Sequence, residues 1–252
     1  MATGGPRISQ VTETVHMVSG TNVNWALVTE GEAVTLIDAG YPGDRDGVEE
    51  SVRAIGRRPE NIVAVLLTHA HLDHMGGIPN LVDHYGAPVY TGAVEARHAR
   101  REFLEQISAK EMTALLRTQR GRKWVTETLR AVGPHVRMSV PSAAPFPKEG
   151  PLDVPGRPVP VPTPGHTSGH TAYFLPSAGI VFSGDALVTG HPLVPDEGPQ
   201  LLPGFFNTDE TRTEQALQAL AALDADVLVP GHGPVLRMPI QKAVDKALDR
   251  RR

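Results

Sequence analysis

Three imidazoles and a carboxylate fall within six residues in His69-Ala70-His71-Leu72-Asp73-His74. Imidazole nitrogens and carboxylate oxygens are donors that hold borderline divalent cations such as zinc. The run directly before them, Ile62-Val63-Ala64-Val65-Leu66-Leu67, is apolar. So much imidazole and charge at the end of a buried strand is costly unless a metal neutralises it. The plain alternative is a solvated loop that is merely His-rich, and it accounts for this segment alone.

Four other segments repeat the plan of an apolar run followed by a metal-competent side chain. Val159-Pro160-Val161-Pro162-Thr163-Pro164-Gly165 delivers His166, and Ile180-Val181-Phe182-Ser183-Gly184 delivers Asp185. Val227-Leu228-Val229-Pro230-Gly231 delivers His232, and Val34-Thr35-Leu36-Ile37 ends in Asp38. Loops at strand ends are where sheet proteins collect functional groups on a rigid base. Gly165, Gly184 and Gly231 each precede a candidate ligand and suit tight turns with unusual backbone angles.

The elements needed to position these groups read as follows. Short strands are expected at 11–18, 23–29, 33–38, 62–68, 87–91, 170–175, 179–183 and 226–230. Helices are expected at 44–57, through Leu81 to Gly86, at 208–223 and at 234–250. Residues 93–132 are rich in Arg, Glu, Ala and Leu, with no Pro and one Gly. That composition predicts two or more helices inserted between core strands. Residues 141–164 carry nine prolines and read as an extended connector over the surface.

The HxHxDH motif at 69–74, His166 in Pro164-Gly165-His166-Thr167, Asp185 in Ser183-Gly184-Asp185 and His232 in Pro230-Gly231-His232-Gly233 occur in that order. Together they resemble the metallo-β-lactamase-fold hydrolase superfamily over about residues 15–235. The resemblance implies one α/β (α+β) domain over 1–252: a four-layered αββα sandwich with a helical insertion at about 93–132. It also implies a two-metal site between the sheets. His69 and His71, two apart in extended chain and so on one side, would share one ion with His166. Asp73, His74 and His232 would hold the second. Asp185 would bridge both, because a carboxylate offers two oxygens. This set suits two zinc ions best and tolerates iron, manganese or cobalt. In such a site a hydroxide shared by both metals attacks a carbonyl or phosphoryl centre, and Asp73 both binds metal and orients the nucleophile.

Other residues are weaker candidates. Asp38 matches the superfamily's first motif as a support for the metal loops, although a strand-end cap explains it equally well. His170 is a candidate donor behind the ligands or an ordinary hydrogen-bonded histidine. His191, Phe205 and Phe206, in the loop 187–207, and Trp124, in the insertion, are candidate pocket walls. So are Phe103, Leu104, Ile107, Leu115, Leu116 and Leu129, against the simpler reading that they bury the insertion's own helices. His16, His84, His98 and His135 read as surface or satisfied residues, and Asn22 and Asn24 as turn residues that edge the site.

Composition bounds the function. The chain has 252 residues, 40% of them hydrophobic, a formal charge of −4 and no cysteine. Disulfides and thiolate zinc sites are thereby excluded, and a broad nucleic-acid footprint is disfavoured. The N-terminal stretch lacks the apolar segment of a secretion signal and no segment is long enough to span a bilayer, so a cytoplasmic location is the default expectation. The expected partner is a small-molecule substrate, with a homodimer left open.

Departures from subfamily patterns narrow the substrate. Antibiotic-cleaving relatives usually carry Cys or His at the place of Asp185. Glyoxalase II enzymes continue into a glutathione-binding domain, and only twenty residues follow His232 here. Quorum-quenching lactonases often show Tyr three residues after the bridging Asp, where this chain has Val188. Transfer-RNA nucleases add a basic arm. The expectation is a zinc hydrolase, a lactonase or thioesterase in type, acting on a lactone, ester or thioester in the lactonase/glyoxalase II-like branch. The alternatives are a mono-iron oxidoreductase of the persulfide-dioxygenase type, or a phosphodiesterase or β-lactam hydrolase of the same fold.

Overall fold

The structure is a computed structural model that describes residues 6–251. Residues 1–5 and Arg252 lie outside the described residues, and with them most of the stretch on which the absence of a secretion signal rests. The strands are β1 (Arg7–Gln10), β2 (Val15–Ser19), β3 (Asn24–Glu30), β4 (Ala33–Ile37), β5 (Ile62–Leu66), β6 (Val89–Thr91), β7 (Ala144–Pro145), β8 (Val159–Pro162), β9 (Thr171–Leu175), β10 (Ile180–Gly184), β11 (Val227–Pro230) and β12 (Leu236–Arg237). The helices are α1 (Arg45–Ala54), α2 (Leu72–Met75), α3 (Ile78–Tyr85), α4 (Ala93–Ala99), α5 (Ala109–Leu115), α6 (Gln119–Val132), α7 (Glu210–Ala221) and α8 (Ile240–Asp249).

Two sheets form, one ordered β1-β2-β3-β4-β5-β6-β7 and the other β12-β11-β10-β9-β8. Strand alternation sorts their side chains into layers. Ala26, Val28, Ile37, Ala64 and Leu66 of the first sheet meet Tyr173, Leu175, Ile180, Phe182, Val227 and Val229 of the second. Trp25, Leu27, Leu36 and Val65 face the other way, against Val48 and Val52 of α1 and Ile78 and Leu81 of α3. Ala172, Val181 and Leu228 face α7 and α8 through Leu217, Leu220, Ala243 and Val244. The result is the four-layered αββα sandwich. Full burial of each such Leu, Val or Phe contributes about 1.5–3 kcal/mol.

Two expectations change. The proline-rich stretch is not only a surface connector: it contains β7 and β8, and it sends Leu152 into the core between the sheets. Its prolines are tolerated because β8 is the outer strand of its sheet, where a missing N–H faces no neighbour. The segment 234–250 opens with β12, and its helix begins only after Pro239. Strand β1, mostly exposed and weakly apolar, had no expectation at all. The insertion does form helices, α4 to α6, with irregular chain between α4 and α5.

Candidate metal centre

The ligand candidates converge because their loops leave the same end of the two sheets. Asp38 follows β4, His69 to His74 follow β5, His166 follows β8, Asp185 follows β10 and His232 follows β11. Gly165 and Gly184 have φ of 137° and 49°, so both turns need glycine. Gly231 does not have positive φ; it is required for space instead. A Cβ there would collide with Asp185 Oδ1 and lie 2.8 Å from His74 Cε1.

Asp185 is the hub. His232 Nε2 lies 3.2 Å and His166 Nε2 3.5 Å from its Oδ2, and His74 Nε2 lies 3.4 Å from its Oδ1. His69 Nε2 is 3.8 Å from Oδ2. Asp73 stands on the far side, 3.5 Å from His232 Nε2 and 3.8 Å from His74 Nε2. His71 presents Nδ1 to His166 Nε2 at 3.0 Å.

Acceptors behind the rings set which nitrogen points inward. His74 Nδ1 faces Asp38 Oδ2 at 2.8 Å, His166 Nδ1 faces Asn207 Oδ1 at 3.0 Å, and His232 Nδ1 faces the Asn22 carbonyl at 2.6 Å. His69 Nδ1 faces Thr68 Oγ1 at 3.1 Å, and that hydroxyl donates to Asp38 at 2.7 Å. Each acceptor holds the proton on Nδ1 and leaves Nε2 with a bare lone pair aimed at the centre. Asp38 also accepts the Thr68 backbone N–H at 2.8 Å, so it caps the strand end and orients His74 together.

The electrostatics describe a cluster short of positive charge. Burial pushes His69 and His71 well below the usual imidazole range, with neighbouring histidines adding to the effect. At His74 and His232 burial acts the same way and is the largest single effect, but Asp185 and Asp73, joined at His74 by Asp38, together outweigh it and raise both. Burial would raise Asp185, yet His232 and His74 hold it well below the carboxylate range. His69 Nε2, His74 Nε2 and Asp185 Oδ1 are buried without a hydrogen-bond partner among the described residues. Each such orphan costs about 1–3 kcal/mol. Three groups have donor atoms within 4.8 Å of one another: His69, His71 and His166; His69, His74 and Asp185; Asp73, His74 and His232. The donor set therefore fits metal, and cations would satisfy all three orphans.

The profile of the metallo-beta-lactamase superfamily matches residues 18–232, which contain every one of these groups. The chain belongs to that superfamily. A probable metallo-hydrolase of Bacillus subtilis, YflN, is 25% identical over 214 residues, covering 82% of this chain and 78% of that protein. A hydroxyacylglutathione hydrolase of Alkalilimnicola ehrlichii is 32% identical over 149 residues, but the match covers 59% of this chain and 41% of that enzyme. A metallo-beta-lactamase of Cronobacter sakazakii superposes with a TM-score of 0.69 at 19% identity, covering 98% of this chain and 93% of the other. At that identity the likeness shows the fold alone.

In this superfamily member the cleft over the centre is narrow, about 50 Å³. His71, Asp73, His166, Asp185 and His232 form its floor, and Tyr41, Leu72, Ile107, Trp124, Leu202 and Phe206 are among its walls. Trp124 of α6 meets His191 and Phe206 at ring distances of 5.8 and 5.6 Å, so the insertion and the loop after β10 close over the site together. Burial lowers His191 to about 3; its Nδ1 accepts the Leu193 N–H, which leaves Nε2 as a donor. Phe205 is not a wall; it packs behind Phe206, 4.6 Å between rings. Leu104, Leu116 and Leu129 are exposed, and Phe103 stacks on His98.

His170 is not a ligand candidate in this geometry. Its Nδ1 meets Thr163 Oγ1 at 2.8 Å and its Nε2 accepts the Asp185 N–H at 3.1 Å, so it holds the turn that presents Asp185. Sequence reasoning missed Tyr41, Asn207 and Glu95. Burial and the nearby Asp73 raise the Tyr41 phenol well above its usual value. Glu95 lies in the insertion and is fully buried behind the histidine loops. Among the described residues, no helix is long and apolar enough to cross a membrane.

Proposed function

We propose that this metallo-hydrolase cleaves small acyl compounds, namely lactones, aryl esters or thioesters, with His69, His71 and His166 on one zinc ion, Asp73, His74 and His232 on a second, and Asp185 between them. The observation that carries the choice of substrate is the composition of the cleft wall. It offers Leu72, Ile107, Trp124, Leu202 and Phe206 and, among the described residues, no Lys or Arg. A phosphodiester calls for cations at its non-bridging oxygens. An apolar acyl or ring compound needs only its carbonyl oxygen stabilised.

Metal bound here would supply a water acidified towards neutral pH and positive charge for the developing oxyanion. The chain's own residues do the rest. Asp38, Asn207 and the Asn22 carbonyl keep three imidazoles in one tautomer and one orientation. Asp73, partly exposed at the cleft floor, would align the attacking water while holding metal. The His191 N–H, at the cleft wall, donates to the substrate's polar end. Trp124 and Phe206 cover the acyl chain and exclude bulk water.

The test is a parallel assay of lactone, aryl ester, thioester, bis-aryl phosphodiester and penicillin substrates with zinc, manganese and iron forms. Turnover of the acyl compounds is expected to exceed that of the other two. Faster phosphodiester turnover overturns the substrate class and leaves the two-metal centre standing. A single iron per chain by metal analysis favours the oxidoreductase reading.

A further inference from the structure

The insertion expected at about 93–132, with Phe103, Leu104 and Ile107 among its candidate pocket walls, includes the segment 95–105. Arg97 and Glu102 of this segment are exposed and pair with each other, while Glu95, Arg101 and Glu105 turn towards the body and grip the backbone on which the candidate ligands sit. Glu95 is wholly buried in α4. Its Oε1 accepts the Ala70 N–H at 2.6 Å and faces His98 Nδ1 at 2.8 Å, and its Oε2 accepts the Thr167 hydroxyl at 2.8 Å. His98 Nε2 accepts the Glu105 N–H at 3.1 Å, which fixes its proton on Nδ1, towards Glu95. Arg101 donates to the Ala70 carbonyl at 3.0 Å and is itself held by the Met138 carbonyl at 2.8 Å. Glu105 accepts the Ser168 N–H at 2.7 Å and the Ser168 hydroxyl.

Ala70 separates His69 from His71, and Thr167 and Ser168 directly follow His166. The carboxylate and the guanidinium thus hold the N–H and the C=O of the residue between two of the histidines, while two carboxylates hold the turn carrying the third. Among the described residues, no carboxylate of this segment reaches the loops of Asp73 and His232, although Arg101 Nη2 meets Met75 Sδ at 3.4 Å, at the end of α2. Those loops are supported from other directions, through Asp38 and the Asn22 carbonyl. Among the described residues, the carboxylates of the insertion brace only the three-histidine half.

We infer that Glu95 and Glu105 are positioning residues that set metal affinity at the three-histidine position, His69, His71 and His166, and leave the position of Asp73, His74 and His232 largely untouched. The inference rests on the two-metal reading above. A clamp of this type acts by spacing the ligands before the ion arrives. Replacing a carboxylate that orients a ligand commonly lowers metal affinity about 10–100-fold.

The experiment is a competitive titration of the metal-free full chain with Zn2+ against a chromophoric chelator, for the wild type and for Glu95→Gln, Glu105→Gln and Thr167→Val, with the thermal midpoint of each metal-free variant recorded alongside. Wild-type protein is expected to show two binding events. Glu95→Gln should weaken one of them about 10–100-fold and leave the other near its wild-type value. Glu105→Gln and Thr167→Val, which remove single links and keep the buried carboxylate, should weaken the same event by less. They carry the test if Glu95→Gln does not fold. Wild-type affinity for both ions in the folded variants overturns the clamp and leaves the metal centre standing, even if their midpoints fall. Equal weakening of both events also overturns it. A wild-type chain that takes up no zinc overturns both the clamp and the centre.

Discussion

Asp38 shows how much one side chain can settle. It sits at φ 59°, a strained angle for an Asp, and spends its two oxygens on the Thr68 N–H, the Thr68 hydroxyl and His74 Nδ1. Asp38→Asn keeps the shape but puts an amide N–H against one of those donors. Zinc affinity at the position of Asp73, His74 and His232 is expected to fall about 10–100-fold, read by chelator competition; unchanged affinity would show that His74 needs no such partner. The ligand candidates themselves were legible from sequence because histidine and aspartate rarely cluster behind apolar runs for any other reason. Glu95 and Arg101 were not. They lie in Ala93-Val94-Glu95-Ala96-Arg97-His98-Ala99-Arg100-Arg101, where alternating charge reads as a solvated helix face, and only the fold shows which of those charges turn inward.

Elements divide into those that brace the centre and those that cover it. Helix α1 is tied to α3 by Glu49, which accepts from Asn80 at 2.6 Å, Tyr85 at 2.9 Å and Arg53 at 2.6 Å. Burial raises the Glu49 carboxyl, but hydrogen bonds from Arg53, Tyr85 and Asn80 outweigh it and the net shift is downward. A carboxylate held below its unfolded value stabilises the fold above that value, about 4.3, and the contribution is lost as pH falls through the lower folded one. Glu49→Gln should therefore flatten the acid limb of the stability curve, measured by urea unfolding from about pH 3 to 6. An acid limb identical to wild type would refute this. On the covering side, Trp124→Ala should raise KM for acyl substrates with kcat and metal content near wild type, because it removes binding shared by ground and transition states. A fall in kcat at constant KM would place Trp124 in the chemistry instead. The strand β8 escaped the sequence reading because two of its four residues are proline, a composition that signals coil wherever the strand's edge position is not known.

One end of the sandwich carries an electrostatic debt, where five imidazoles and two carboxylates meet with three polar atoms unsatisfied among the described residues. Ligand that binds only the folded state stabilises it by about 4 kcal/mol at a thousandfold excess over Kd. For a chain of this size that corresponds to a rise in Tm of roughly 8–16 °C. A strong chelator should reverse it, and a chelator-insensitive Tm would contradict metal binding by the native state. The order of layers was legible from the motifs, since they resemble a superfamily whose fold they imply. The closing of the cleft by α6 against the loop after β10 was not, because Trp124 and Phe206 are as compatible with core as with a wall until the distance between them is seen.

The candidate ligands are spread along the chain, so the centre has a timetable. His69, His71, Asp73 and His74 leave the ribosome well before β8 and β10, and His232 emerges only after β11. The acceptor that orients His232 is the Asn22 carbonyl, from near the start of the chain. Neither ion position is complete until long-range pairings between the two sheets exist, and pairings of high sequence separation form slowly. A nascent chain that met abundant zinc early would offer it only the His69–His74 fragment, in which wrong ligands and wrong geometry are as accessible as right ones. A metal held at this centre would be inserted into the finished sandwich, and refolding should yield more active protein when zinc is supplied after the chain has collapsed than when it is present from the first moment.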